Sequence, residues 1–123
     1  MARVVAFVPD LLFGSNVVGA LQAGGHVAVL VSRSEELAAA LADADVLVVD
    51  LTAEAPARIE AARVALAGAA SAASAPDGPR SLAFFSHVEK DVRKAAEAAG
   101  FDLVVPRSRM ARAGADLVSQ LVG

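Results

Sequence analysis

Two kinds of apolar pattern alternate along the chain, and that alternation restricts what it can fold into. Short continuous apolar runs stand at Val4–Val8, His26–Val31, Val46–Val49, Leu82–Phe85 and Leu103–Val105. Each is bounded by polar residues, glycine or proline, and runs of this length read as strands covered on both faces of a parallel sheet. Longer segments with helical spacing lie between them. Val17 and Leu21 mark the first, and Ser34-Glu35-Glu36-Leu37 opens the second with Ser34 as its expected N-cap. The third begins near Pro56, a residue suited to a first helical turn, and carries Ile59, Ala62, Arg63 and Leu66. The fourth places Val88, Val92, Ala95, Ala96 and Ala99 on one face, and the fifth places Met110, Gly114, Leu117, Val118 and Leu121 there. Gly24-Gly25 and Gly100 follow the first and fourth helices, where a left-handed residue is wanted.

Strands alternating with helices imply parallel pairing through right-handed crossovers. The expected architecture is a three-layer α/β fold, a flavodoxin-like (βα)5 unit whose sheet order 2-1-3-4-5 is taken from the statistics of doubly wound folds. Its 123 residues suit one domain spanning 1–123. One stretch, Ala67 to Pro79, is low in complexity: its first half reads as an extension of the third helix, its end as a surface turn.

Composition narrows the function classes. Cysteine is absent and there are two histidines, His26 and His87, so disulfides, thiolate metal sites and cysteine nucleophiles are out of the question. The net charge of −3 argues against general nucleic-acid binding, and with no Trp or Tyr there is no stacking platform beyond five phenylalanines. No apolar run approaches the ~18 residues that cross a bilayer, and no leader-like segment precedes the first strand, so a cytoplasmic protein without membrane contact is expected.

In an open parallel sheet, ligands bind beyond the carboxyl ends of the strands, where strand order reverses. Strand one ends in Pro9-Asp10, strand three in Asp50-Leu51-Thr52, strand four in Ser86-His87, and strand five in Pro106-Arg107. Two carboxylates at such a crevice invite a hard cation with oxygen ligands, and a hydroxyl with a fixed positive charge suits a phosphoryl group. Each residue also has a plainer reading. Asp10 reads equally as a helix cap, Ser86 as the cap of the fourth helix, His87 as a solvent-facing first-turn residue, and Arg107 as a surface charge.

These strand tips resemble the site of a response-regulator receiver domain of the chemotaxis type, and the resemblance runs over essentially the whole chain. It implies Asp50 as the phosphoacceptor, magnesium as cofactor held by Asp10, Asp50 and the backbone carbonyl of Thr52, and Ser86 as the switch hydroxyl. Ala98-Ala99-Gly100-Phe101-Asp102 resembles the small-residue turn that precedes strand five in that family. Two positions depart from the pattern: Pro9 replaces the first acid of the pair, and Val105 replaces the lysine before Pro106. Arg107 is the nearest cation in sequence, for Lys90 and Lys94 fall early in helix four and Asp43 and Asp45 at the opposite end of strand three.

The function expected from this reading is a stand-alone, divergent receiver-like signalling domain acting by protein–protein contacts. Its partner, or a second copy, would use the face formed by helix four, strand five and helix five, carrying Val88, Lys90, Asp91, Arg109 and Arg112. Met110, Leu117 and Leu121 read either as dimer surface or as core. One alternative is a flavodoxin-like binder of a phosphate or nucleotide ligand, with Phe13-Gly14-Ser15-Asn16 at the start of helix one as a weak anion site. A second is a small hydrolase or phosphatase using Asp50. Catalysis is not expected, since the chain has no G-x-S-x-G elbow, and Ser86 beside His87 is adjacency rather than geometry.

Overall fold

The computed structural model describes residues 2–72, 78–86 and 88–123. Five strands, β1 (Arg3–Phe7), β2 (Val27–Val31), β3 (Val46–Asp50), β4 (Arg80–Phe85) and β5 (Leu103–Pro106), form one sheet in the order β2-β1-β3-β4-β5. All four pairings are parallel, with Val4 opposite Val46 and Asp50 opposite Phe84. Five helices connect and follow the strands: α1 (Leu11–Ala23), α2 (Leu37–Ala40), α3 (Ala55–Ala72), α4 (Lys90–Ala99) and α5 (Arg107–Val122). The expected strand order and element count are both observed.

The parity of the buried residues explains the three layers. Along β3, Val46 and Val48 point into a core shared with Val17 and Leu21 of α1 and Leu117 and Val118 of α5. Leu47 and Val49 point the other way, into a core with Leu37 of α2, Ala62 and Ala65 of α3 and Ala96 of α4. A strand covered on both faces has no polar side to alternate with, which is why β3 reads as an unbroken apolar run. Burial of each such side chain is worth about 1.5–3 kcal/mol.

Several local expectations are corrected. Ser34 caps no helix: it is the first residue of a 3₁₀ turn (Ser34–Glu36) capped by Arg33 without a side-chain bond, and its hydroxyl donates to the Glu35 carboxylate. Val88 precedes α4 and is 72% exposed, so it belongs to no core face. Ser86 does not cap α4 either, since Glu89 holds that position. Met110 and Leu117 are buried in the core beside α1, which removes them from any dimer surface. Pro56 does sit in the first turn of α3, and that helix does run on to Ala72; the Ala73–Asp77 part of the low-complexity stretch lies outside the described residues. Gly100 adopts the left-handed conformation expected after α4 (φ 93°). Gly24 has an ordinary φ of −83° and is needed for a different reason: a Cβ there would stand 2.3 Å from Cβ of Ala115 on α5.

Candidate functional site

The carboxyl ends of β1, β3, β4 and β5 bring Asp10, Asp50, Thr52, Ser86 and Arg107 to one edge of the sheet. Asp50 is the last residue of β3 and is 2% exposed, the one buried carboxylate among the described residues. A bare carboxylate at that depth would be strongly unfavourable, so its partners decide the character of the site. Oδ1 accepts the backbone N–H of Thr52 at 2.8 Å and the Thr52 hydroxyl at 2.5 Å. Oδ2 faces the guanidinium of Arg58, whose Nη1 lies 3.4 Å away. The same nitrogen donates to the backbone carbonyl of Asp50 at 3.0 Å.

Arg58 is the residue that sequence reasoning missed. It enters from the first turn of α3 and is itself largely buried, its side chain 14% exposed. A signal for it was present in the spacing: Ala55, Ala62 and Ala65 are the buried stripe of α3, and position 58 falls on the same stripe. Alanines on either side leave room for a long stem to lie against the sheet. Arg63 on the same helix behaves differently. It is exposed and pairs with Glu60 at 2.6 Å, and the hydrogen bond it donates holds the Glu60 carboxyl below its ordinary range.

The other expected residues have their own engagements. Asp10 caps α1, its Oδ1 accepting the N–H of Phe13 at 3.0 Å, so the anion place at that helix start is taken by the chain's own carboxylate. Arg107 opens α5 and lays its guanidinium over the Phe13 ring, 4.0 Å from the centroid. Phe13 in turn meets Phe84 edge-on at 5.5 Å. Ser86 is partly buried just past β4, and its carbonyl accepts the N–H of Glu89 at 2.9 Å. His87 lies outside the described residues. Asp45 stands at the opposite end of β3, as expected, where its carboxylate accepts the N–H of Arg3 at 2.9 Å.

No family model matches the sequence, and no curated protein does. Solved structures do match in shape. A response regulator receiver protein from Burkholderia phymatum is 20% identical and superposes with a TM-score of 0.78, over 100% of this chain and 96% of that one. A response regulator from Thermotoga maritima is 15% identical with a TM-score of 0.77, over 99% and 98% of the two chains. A response regulator receiver domain protein from Clostridium thermocellum is 13% identical with a TM-score of 0.79, over 99% and 94%. The chain has the receiver fold. Asp50, Thr52 and Ser86 stand at the ends of β3 and β4, where the strand pattern anticipated them.

The receiver resemblance also implies magnesium, and the residues present do not fit that ion. Magnesium asks for several oxygen ligands in near-octahedral array. Pro9 has no side-chain oxygen, one oxygen of Asp10 is committed to the α1 cap, and Asp50 has two donors on Oδ1 and a guanidinium at Oδ2. Among the described residues, no group of three or more His, Asp or Glu side chains is placed to hold a metal ion. Of the expected metal set, Asp50 has partners at both carboxylate oxygens and Asp10 at one, while Thr52 turns its N–H and hydroxyl toward Asp50. No described helix is long and apolar enough to cross a membrane.

Proposed function

We propose that this chain is a receiver-like signalling domain that acts through protein–protein contacts. The observation that carries this reading is the receiver fold with a buried carboxylate at the end of β3, bonded to Thr52 and close to the end of β4. A buried carboxylate at the tip of an otherwise apolar strand is costly unless paired, and a buried, specifically partnered acid at the strand tips is a candidate functional group. The face proposed for contact is that of α4, β5 and α5. Lys90, Asp91, Arg109 and Arg112 are all exposed there, while Met110, Leu117 and Val118 of α5 turn inward. A charged rim around the partly exposed strand β5 suits a partner chosen by electrostatic complementarity.

The test is site-specific photo-crosslinking in cells. A crosslinker at Arg109 or Arg112 is expected to capture a defined protein, and one at Val29, on the far edge strand, is not. With the crosslinker at Arg109, reversing Arg112 to Glu is expected to abolish that capture, and likewise Arg109→Glu with the crosslinker at Arg112. Equal capture from both edges, or capture indifferent to charge reversal, overturns the proposed face.

The flavodoxin-like alternative draws no support from the geometry, because Asp10 already occupies the helix start at which an anion would bind.

A further inference from the structure

We propose that Arg58 is the resident counter-ion of the Asp50 pocket, and that it closes the pocket to divalent cations. The receiver resemblance implies a lysine where Val105 stands and an acid where Pro9 stands, so this pocket lacks both its usual cation and one of its three usual metal-binding acids. The structure supplies a cation from an unexpected direction. Arg58 reaches Asp50 from α3, not from the end of β5, and one nitrogen engages both the carboxylate and the carbonyl of the same residue.

Three features make this a built arrangement. Both carboxylate oxygens of Asp50 are engaged, and among the described residues no buried side-chain polar atom lacks a partner. Arg58 lies on the inward stripe of α3 between small residues, so its direction is set by packing. The turn that launches α3 contains Glu54 in the left-handed conformation (φ 52°), and the carbonyl of Glu54 accepts the N–H of Arg58 at 3.0 Å. An L-residue adopts that conformation only when its surroundings require it, and here it starts the helix so that its fourth residue overhangs the end of β3. A divalent ion at Oδ2 would face a fixed positive charge in a poorly solvated site, where like charges repel most strongly. The guanidinium cannot relieve this by losing its proton.

The inference rests on the receiver-like reading only for the choice of magnesium as the ion to test. The experiment is a magnesium chloride titration of the full chain followed by backbone-amide NMR. In wild type, the amides of Asp50, Leu51 and Thr52 are expected to show no saturable response. Arg58→Met keeps the apolar stem and removes the charge, and is expected to make these amides respond saturably, with affinity at least tenfold above any wild-type response. Adding Asp50→Asn is expected to abolish the gain. A saturable wild-type response at these amides overturns the proposal, as does a folded Arg58→Met protein that responds no more than wild type. If Arg58→Met does not fold, Arg58→Gln carries the same expectation, and the wild-type titration still stands as a test. Crosslinking plays no part in this measurement, so the proposed contact face and the resident counter-ion fail separately.

Discussion

Nη1 of Arg58 lies 3.4 Å from Oδ2 of Asp50 and donates to the carbonyl of the same aspartate, so a single guanidinium nitrogen holds both the side chain and the backbone of the last residue in β3. Removing one partner of a buried pair leaves the other uncompensated, which is far more costly than removing both. Arg58→Met is expected to destabilise the domain by about 2–4 kcal/mol, toward the lower side of the buried-pair range because the arginine keeps some access to water. Asp50→Asn alone is expected to cost about 1–3 kcal/mol, since the amide oxygen still accepts from Thr52. The double variant is expected to cost less than the sum by about 1–3 kcal/mol. Urea denaturation of the four proteins gives the coupling; additivity within about 0.5 kcal/mol would mean the pair is not an energetic unit.

A second clasp joins distant parts of the chain at the opposite end of the sheet. Nδ1 of His26 accepts the N–H of Ala2 at 3.1 Å, which fixes the tautomer and leaves the hydrogen on Nε2. That nitrogen donates to the carbonyl of Ala115 at 3.0 Å, with the Ser119 hydroxyl 3.2 Å away. His26 is 6% exposed, so the groups it bonds have little access to water. His26→Leu is expected to cost about 2–3 kcal/mol, mostly the unmet N–H of Ala2. It should also expose the amides of β1 and the second half of α5 to faster hydrogen exchange. Unchanged protection in α5 would mean that the ring does not tether that helix.

Glu54 offers a test of the opposite sign. At φ 52° an L-residue is strained by roughly 1–2 kcal/mol, and glycine is not. Glycine also loses about 0.5–1 kcal/mol through its freer unfolded chain. The net expectation for Glu54→Gly is a stability unchanged or raised by up to about 1 kcal/mol. Glu54→Pro demands a negative φ that this turn does not have, and should cost about 3 kcal/mol or more. Thermal unfolding of the two variants checks the pair; a glycine variant clearly less stable than wild type would show that the Glu54 side chain contributes something beyond its backbone shape.

How far the sequence discloses this molecule depends on the range of the interaction. The strands were legible because burial on both faces leaves a continuous apolar run, as at Val46–Val49, and the turn at Gly100 because only a left-handed residue ends α4 that way. Asp50 was legible because a carboxylate directly after four buried residues is costly without a purpose. Ser34 misled because its hydroxyl bonds to the adjacent Glu35, leaving α2 a single turn with no side-chain cap. Arg58 escaped notice because its meaning lies in the pairing of two elements: a charged residue on an alanine stripe reads as an interruption until the partner eight positions earlier is known to face it. Arg107 was picked out by nearness in sequence, whereas the fold engages it with Phe13.

The seam between α1 and α5 carries the last prediction, and it bears on the proposed contact face because α5 forms part of it. Ala115 meets two residues of the turn after α1: its carbonyl accepts from His26, and its Cβ stands where a Cβ on Gly24 would come within 2.3 Å. Gly24→Ala therefore forces the helices apart or twists the turn, and overpacking of this kind costs about 1–3 kcal/mol. Its backbone is already in an ordinary region, so the whole effect is steric. Ala115→Gly removes the opposing methyl and should recover most of the loss, less about 1 kcal/mol for glycine inside a helix. At Gly100 the reverse holds: a methyl placed there would meet no atom within 4 Å, and φ is 93°, so Gly100→Ala should cost about 1 kcal/mol through the backbone alone. No neighbouring substitution should rescue it. Melting temperatures of the two single variants and of Gly24→Ala with Ala115→Gly separate the mechanisms; if trimming Ala115 leaves the Gly24 variant as unstable as before, close approach of the helices is not what holds α5 in place.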